Sequence, residues 1–383
     1  MKAMILSTHT GGGHDAAAAA IDEALEEAGV TCKVVDCVAF GGKWFSKAVS
    51  GVYVKTVQHA PDSFGRIYHL GEKISTPRWK SPVYLVNATY AHRMAKAVAD
   101  FGADMVVCTH MFGGQSMTHL KRHGEYKGLL AMVMTDYTLS PFMEDIQADI
   151  LFVSHKGVMQ ECLDKKIPPQ TLVPLGIPVS LKCCPCMDKR AAKRAAGLDE
   201  NRRQVLLVGG SMGAGSLPDT MRAVLDGMGE SDYLTVVCGS NEAAQQKCLE
   251  KCGNDSRVRV LGRVKPLYPL LGAADLVATK SGGLTSTETM TIGVPMLVVN
   301  PIRGCETANA EFFEARGMAA YARTMDEITE KVRALLADDG AREAMVAAQR
   351  REIDPDCARK MAALLIERTK ERGVPLRDEE KDA

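Results

Sequence analysis

Short apolar runs alternate with amphipathic stretches along the whole chain. The runs predict strands at residues 3–8, 31–37, 104–110, 129–136 and 150–154, and again at 203–211, 233–240, 257–264, 275–281 and 295–301. Helical patterns, such as those of residues 15–28 and 243–251, lie between them. Strands that alternate with helices predict right-handed βαβ units, and hence an α/β fold with two mostly parallel sheets.

The two series of strands are separated by a stretch that disfavours regular structure. It contains three prolines and Gly176 within residues 174–190. A chain of 383 residues is long enough for two hydrophobic cores. We therefore predict an N-terminal domain at residues 1–178, a C-terminal domain at 179–355, and a final helix with a charged tail at 356–383.

Charge and hydropathy exclude several kinds of partner and location. The 47 basic and 47 acidic residues cancel, so nucleic acid, which needs a basic excess, is not an expected partner. No run approaches the roughly 20 apolar residues that span a bilayer, and the first residues lack the pattern of a signal peptide. The sequence therefore predicts a cytoplasmic protein.

The twelve cysteines are scattered rather than spaced as in a disulfide framework. Their one cluster, Cys183, Cys184 and Cys186, has no paired ligand motif nearby that would complete a zinc site. Free thiols are expected, and a metal or redox role for the cluster is the alternative.

A glycine-rich turn follows the first predicted strand. Gly11, Gly12 and Gly13 lead into a helical pattern that starts beside His14. Glycine permits close approach of the backbone, and the N-terminus of a helix offers free N–H groups and the positive end of its dipole. Such a turn can hold an anion, or it can be a tight turn without a ligand.

A second glycine-rich turn follows the first strand of the second half and includes Gly210, Ser211 and Met212. Neither turn has the GxxxxGK[ST] pattern of a phosphate-binding P-loop, and "GGSMGAG" holds only fragments of GxGxxG. No acidic residue ends the strand that follows the second turn, which argues against a dinucleotide site there. Asp36 ends the second strand of the chain and keeps a dinucleotide alternative open for the first half.

A third turn, "SGGLT" at residues 281–285, is more specific. Glu288 follows Thr285 by three residues, which is the spacing of a capping box at the start of a helix. Alternatively, the carboxylate accepts hydrogen bonds from a ribose while the N–H groups of the turn hold the attached phosphates. The residues alone leave both interpretations open.

Taken together, the motifs resemble a known family. In chain order they are "GGGH", "VMTDY", "GGSMG", "GRV", "KSGGLTSTE" and "PIRGCETANAEFF". The set, within residues 3–365, resembles the monogalactosyldiacylglycerol synthases and their bacterial relatives, the processive diacylglycerol glucosyltransferases. It is more distantly similar to the lipid-linked muropeptide N-acetylglucosaminyltransferase. The resemblance implies a GT-B fold, in which two Rossmann-like domains face each other across a cleft, and a UDP-sugar donor on the C-terminal domain.

The resemblance also implies roles for residues of the C-terminal domain. Glu288 would bind the ribose, and Arg263 and the backbone of Val264 would contact the uracil. The implied partners of the diphosphate are Gly210, Ser211, Met212, Gly283, Leu284 and Thr285, and the implied readers of the sugar hydroxyls are Glu306 and Asn309. Cys305 stands where the family often has Gln, which leaves the hexose, galactose or glucose, open.

The N-terminal domain would bind the acceptor, with residues 11–13 as its acceptor-side loop. His14 matches the family's histidine after the glycines, and Asp136 matches the aspartate of its "TD" motif. A hydroxyl that attacks an α-linked UDP-sugar in line gives a β-glycoside and needs a base to take its proton. His14 can serve because the pKa of histidine lies near neutrality, and Asp136 is the competing candidate.

No cofactor and no metal are expected. Helix N-termini and loop N–H groups can stabilise a departing diphosphate without a metal ion. The one D-x-D sequence, Asp354 and Asp356, precedes a helical pattern. We interpret Asp354 as a helix cap rather than a metal ligand.

Residues 41–96 predict a membrane-facing part of the protein. They contain nine basic and two acidic residues, a net charge of +7, together with eight aromatic residues. Basic residues mixed with aromatic ones are typical of binding to an anionic membrane surface. The alternative is a solvated basic face over ordinary core aromatics.

The sequence thus predicts an inverting, metal-independent hexosyltransferase, peripheral on the inner face of the cell membrane. It would move a hexose from a UDP-sugar to diacylglycerol or a related membrane lipid. The alternatives are a polyprenyl-linked or soluble acceptor, a nucleotide-sugar-binding protein without turnover, and a dehydrogenase.

Overall fold

Two parallel β-sheets form the framework of the computed structural model, which describes residues 1–8, 12–42, 70–71, 73–76, 80–185, 187–210 and 216–372. The first sheet has the order β2-β1-β3-β4-β5-β6 and contains β1 (Lys2–Ser7), β2 (Thr31–Asp36), β3 (Met105–Cys108), β4 (Leu129–Val133), β5 (Ile150–Phe152) and β6 (Leu172–Val173). Its helices are α1 (Gly12–Glu27), α2 (Pro82–Ala88), α3 (Ala91–Phe101), α4 (Met111–Arg122) and α5 (Met159–Asp164), with 3-10 turns at Cys37–Gly41, Met143–Asp145, Lys156–Val158 and Pro169–Thr171.

The second sheet repeats this architecture, with the order β12-β11-β10-β7-β8-β9. Its strands are β7 (Gln204–Val208), β8 (Tyr233–Val237), β9 (Val258–Leu261), β10 (Leu276–Thr279), β11 (Met296–Val299) and β12 (Ala320–Ala322). The helices of this half are α6 (Lys189–Ala195), α7 (Leu217–Gly227), α8 (Glu242–Cys252), α9 (Tyr268–Ala273), α10 (Gly283–Ile292), α11 (Cys305–Ala315), α12 (Met325–Ala337) and α13 (Asp339–Glu352), and the last described helix is α14 (Cys357–Glu371).

The ten strands predicted from the apolar runs are all present, and the predicted α/β fold is confirmed. The sequence does not predict β6 and β12, because two or three residues at a sheet edge make no readable apolar run. The central strands β3, β4, β7, β10 and β11 are buried along their whole length. Helices cover both faces of a parallel sheet, so these strands are continuously apolar rather than alternating.

Each sheet has a point at which the strand order reverses. In the first sheet the chain runs from β1 to β2 and then crosses to β3 on the other side of β1; in the second it runs from β7 through β9 and then crosses to β10. Ligands of such sheets bind in the crevice at the carboxyl ends of the two strands that flank this point. We therefore expect a ligand site at the turns after β1, β3, β7 and β10.

The last helix returns to the first domain. Cys357, Met361 and Leu365 of α14 are buried in one apolar cluster with residues of α1 and of the first sheet. Arg359 of α14 also pairs with Glu27 of α1, with 2.7 Å between Nε and Oε2. The final helix thus completes the N-terminal half, although the domain bounds at residues 178/179 and 355/356 stay predictions.

The described helices and cysteines bear on two further predictions, the absence of a membrane span and the presence of free thiols. Their helices are too short or too polar to span a bilayer. Their cysteines are free thiols, and Cys186 of the predicted cluster lies outside the described residues.

Candidate functional site

His14 lies at the reversal point of the first sheet. Its Nδ1 is 2.7 Å from the carbonyl oxygen of Thr109, which directly follows β3, and the Thr109 hydroxyl donates to the His14 carbonyl at 3.1 Å. A carbonyl can only accept, so Nδ1 carries the proton and Nε2 keeps its lone pair. Burial lowers the pKa of His14, although the charge of Asp136 opposes this shift. The ring is therefore neutral near pH 7 and has the protonation state that a base requires.

The turn before His14 differs from the prediction. Helix α1 begins at Gly12, so Gly12 and Gly13 belong to its first turn rather than to a loop, and Gly11 lies outside the described residues. His110, which the sequence did not single out, packs edge-on against the His14 ring with the ring centroids 4.6 Å apart. His110 caps α4 through its Nδ1, which accepts the N–H of Phe112 at 3.2 Å.

Asp136 faces the second domain. Its Oδ1 accepts a hydrogen bond of 2.9 Å from Nδ2 of Asn309 on α11. Burial raises the pKa of Asp136, while this hydrogen bond and the charge of His14 act in the opposite direction. The two candidate bases, His14 and Asp136, thus lie in one site and interact electrostatically. Their sequence motifs named each residue as a candidate but did not predict this interaction.

Asn309 joins the two domains. Besides Asp136, its Nδ2 donates to the carbonyl of Ser281 at 2.9 Å, and its Oδ1 accepts the N–H of Tyr137 at 2.7 Å. The side chain is fully buried. The resemblance implied that Asn309 reads sugar hydroxyls, but in this structure its amide is occupied by protein partners.

Glu306 lies beside the third turn. Its Oε2 accepts the N–H of Ile302 at 2.7 Å, and its Oε1 is 3.7 Å from the position of a Cβ built on Gly282. Burial raises the pKa of Glu306, and the nearby charge of Lys280 opposes the shift. The carboxylate keeps one oxygen directed toward the turn, which is compatible with the implied contact to a sugar.

The capping-box interpretation of the third turn is wrong. Helix α10 begins at Gly283 with Gly282 as its cap residue, so Thr285 and Glu288 lie inside the helix. Glu288 is partly buried and has no hydrogen bond or ion pair with another described residue. Burial raises its pKa to about 7. Its carboxylate is therefore available to a ligand.

The first turn of α10 packs against the N-terminal domain. A Cβ on Gly283 would lie 1.8 Å from the carbonyl oxygen of Thr135, so only glycine permits this approach. The Leu284 side chain is buried and packs beside Gly13. Because the Leu284 side chain is buried in this contact, only the backbone of Leu284 could bind the diphosphate.

Three of the other implied donor residues, Gly210, Arg263 and Val264, follow strands of the second sheet. Gly210 follows β7 with a φ of 78°, and Ser211 and Met212 lie outside the described residues. Arg263 is exposed and Val264 is partly buried, both just after β9, two strands away from β7. Gly210, Arg263 and Val264 thus follow strands of the second sheet at their carboxyl ends, and no contact of the described residues tests their roles.

Asp36, the basis of the dinucleotide alternative, and Asp354, the predicted helix cap, both have hydrogen-bond partners in the protein. Asp36 caps the 3-10 turn at Cys37–Gly41 by accepting the N–H of Val38 at 3.0 Å. The cap residue of α14 is Asp356, not Asp354 as predicted; Asp354 accepts the N–H of Asp356 at 3.0 Å and pairs with Lys360. No cluster of His, Cys, Asp or Glu that could hold a metal ion occurs in the described part of the chain.

A cavity of about 270 Å³ opens beside the two candidate bases. His14, Asp136 and Cys305 form part of its wall. Most of the remaining wall is apolar and includes Met111, Phe112, Met132, Met134, Phe142 and Met143. A titratable end and an apolar body suit a ligand with a hydroxyl group and a hydrocarbon part.

Comparison with known proteins shows what each half of the chain is similar to. Residues 14–179 match the Monogalactosyldiacylglycerol (MGDG) synthase family, and residues 191–352 match Glycosyl transferases group 1. The chain is a glycosyltransferase. The predicted resemblance to the monogalactosyldiacylglycerol synthases and their bacterial relatives is confirmed.

Relatives of this glycosyltransferase match it over most of its length. The Processive diacylglycerol beta-glucosyltransferases of Bacillus cytotoxicus and Bacillus cereus (strain B4264) are 26% and 25% identical to it over 343 residues, which is 88% of this chain and 86% of theirs. Acinetobacter baumannii MurG has a TM-score of 0.62 at 16% identity, with 96% of this chain and 99% of that chain covered. The UDP-GlcNAc 2-epimerase from Neisseria meningitidis has a TM-score of 0.62 at 14% identity, with 96% and 100% covered. These structural matches confirm the GT-B fold.

Proposed function

We propose that this glycosyltransferase moves glucose or galactose from a UDP-sugar to diacylglycerol and forms a β-glycolipid with inversion. The observation that carries the proposal is the neutral His14, with a free Nε2 lone pair, at an apolar cavity that faces the donor domain. The acceptor oxygen attacks C1 of the sugar, the bond from C1 to the diphosphate breaks, and the hydroxyl proton goes to Nε2. UDP leaves with the electron pair of the broken bond.

The cavity supports a lipid acceptor. Its methionine side chains are flexible and polarizable, which suits hydrocarbon of variable shape. A volume of about 270 Å³ lies just below the usual range for small-molecule sites, which is roughly 300–1,000 Å³. It would hold the glycerol end of the acceptor and the first part of an acyl chain, while the rest stays in the membrane. The relatives are diacylglycerol glucosyltransferases, which favours glucose and diacylglycerol here.

A surface beside the cavity supports docking to a membrane. Leu70, Ile74, Leu85 and Val86 expose between 45% and 60% of their surface, and all four lie within residues 41–96. Gly71 packs on Pro141 and Phe142, and Ser81, which caps α2, bonds to Asp145, so both segments flank residues 141–145 at the cavity.

Charge adds to this apolar surface. Lys73 and Arg93 are exposed within the same stretch of chain, whereas the exposed Lys96 pairs with Asp100. Each basic residue near an anionic membrane contributes about 1 kcal/mol. Residues 43–69, 72 and 77–79 of the predicted region lie outside the described residues. We infer a peripheral position on the inner face of the cell membrane, where UDP-sugars and lipids meet.

We also propose that catalysis needs no metal ion. The N-terminus of α10, with its free N–H groups, lies at the reversal point of the second sheet and can stabilise the leaving diphosphate. Together with the partners implied for the second turn, it would take the place of a divalent cation.

One experiment tests the proposed reaction. The protein is incubated with UDP-glucose or UDP-galactose and vesicles that contain diacylglycerol, polyprenyl phosphate or neither, and the products are identified by mass spectrometry and by the anomeric coupling in NMR. A β-hexosyl diacylglycerol is the expected product. Transfer only to the polyprenyl phosphate, only to water, or with an α-linkage would overturn the proposal.

A further inference from the structure

Lys280 is a buried lysine at the reversal point of the second sheet. It directly follows β10, and only 8% of its surface is exposed. Its Cδ lies 3.8 Å from the position of a Cβ built on Gly210, in the turn after the neighbouring strand β7. The side chain therefore lies between the second and the third glycine-rich turns, where the fold places a ligand.

The ammonium of Lys280 has no hydrogen-bond acceptor and no ion-pair partner among the described residues. Glu306 is the acidic residue whose charge acts on it. Burial lowers the pKa of Lys280. The carboxylate of Glu306 already accepts the N–H of Ile302. A buried charge without a close partner is costly, so its retention needs another explanation.

Another buried lysine of the same domain shows the contrast. Lys193 exposes 5% of its surface, and its Nζ donates to the carbonyl of Arg202 and to Asp275, both at 2.9 Å. The fold thus satisfies a buried ammonium where the charge serves structure. At Lys280 the corresponding anionic partner is missing from the described part of the protein.

We propose that Nζ of Lys280 binds the diphosphate of the donor and stabilises the negative charge that develops there as the bond to C1 breaks. The inference rests on the proposed UDP-sugar donor. The lysine keeps its proton throughout: the electron pair of the broken bond goes to the phosphate oxygen, and the ammonium lies opposite that charge. A diphosphate is the ligand class that fits, because α10 begins three residues after Lys280 and its N-terminus supplies N–H donors at the same edge of the sheet.

The test compares UDP with uridine, which has the same base and ribose but no phosphate. Dissociation constants are measured by calorimetry for the wild type, for Lys280→Met, and for Lys247→Met, a control at an exposed lysine of the same domain. Lys280→Met should bind UDP roughly 10- to 100-fold more weakly and uridine unchanged, since a hydrogen bond to a charged group is lost. Turnover of Lys280→Met should fall at least as much, and Lys280→Arg should recover part of both. The control should behave like the wild type.

The possible outcomes are distinct. If Lys280→Met binds UDP as the wild type does, or loses UDP and uridine to the same extent, the inference is wrong. If the wild type binds neither UDP nor a UDP-sugar, the proposed function itself fails. Should the methionine variant not fold, the ratio of UDP to uridine affinity in Lys280→Gln decides by the same criterion.

Discussion

Glu288 allows a direct test of the donor site, because its proton is expected to leave when UDP binds. In the free protein, burial raises its pKa to about 7, and no described residue pairs with it. Ribose hydroxyls that donate to the carboxylate favour its charged form, so the pKa falls on binding. UDP binding near pH 7 should therefore release protons, and the affinity should rise as the pH rises through about 7.

The pKa of Glu288 sets the size of the effect. At a pKa of about 7, about half of the molecules carry the proton at pH 7, so about half a proton is released for each UDP bound. At pH 6 about nine-tenths are protonated. If only the carboxylate binds the ribose, UDP affinity at pH 6 should be about tenfold weaker than at pH 8.

The assay is calorimetry at pH 7 in two buffers that differ in ionisation enthalpy. The difference between the observed heats gives the number of protons released. Glu288→Gln keeps the shape of the side chain but does not titrate, and the phosphate of UDP titrates equally with both proteins. The difference between wild type and variant therefore belongs to Glu288. Equal proton release from the two proteins would refute the assignment of Glu288 to the ribose.

Further predictions concern other parts of the protein. His14→Asn should lower kcat by about 10²–10⁴ while the Kd of UDP stays constant; substantial turnover in this variant would move the role of base to Asp136. Activity should survive a chelator of divalent cations, and restoration by added manganese or magnesium after loss would disprove the metal-free mechanism. Leu85→Asp, at a residue that is 60% exposed, should weaken binding to anionic vesicles roughly 10-fold or more, whereas Leu249→Asp in the second domain should not. Asn309→Ala should lower the free energy of unfolding by about 2–4 kcal/mol, because three hydrogen bonds are lost, two of them between the domains; an unchanged denaturation midpoint would contradict this.

The sequence predicts the fold well, because a strand of a parallel sheet is buried on both faces and must be apolar throughout. That rule finds each central strand, such as β7 and β10, and fails for β6 and β12, which are too short to carry a pattern. The start of α10 was also misjudged. Gly282 caps this helix without a side chain, so the spacing of Thr285 and Glu288 does not mark its beginning.

The sequence motifs predict which residues belong to the site but not how these residues contact one another. The motifs contain His14, Asp136 and Asn309, yet no local pattern shows that Asn309 bridges the domains, since its partners lie about 170 positions earlier in the chain. Lys280 was missed although it stands next to "SGG". A lysine in a motif gives no signal of burial, and only the packing of β7 against β10 shows that its charge is enclosed.

The position of α14 in the chain delays completion of the core of the first domain during synthesis. The ribosome releases β1 before α14, which follows about 350 residues later, on the order of 20–70 s at typical rates of synthesis. During that time Ile21 and Leu25 of α1 lack the residues Met361 and Leu365 that complete their cluster. The nascent N-terminal domain therefore presents an apolar surface to its surroundings until α14 has been translated. Chaperones that recognise such surfaces have their best opportunity in this interval, and a stop codon shortly before residue 357 would make the exposure permanent.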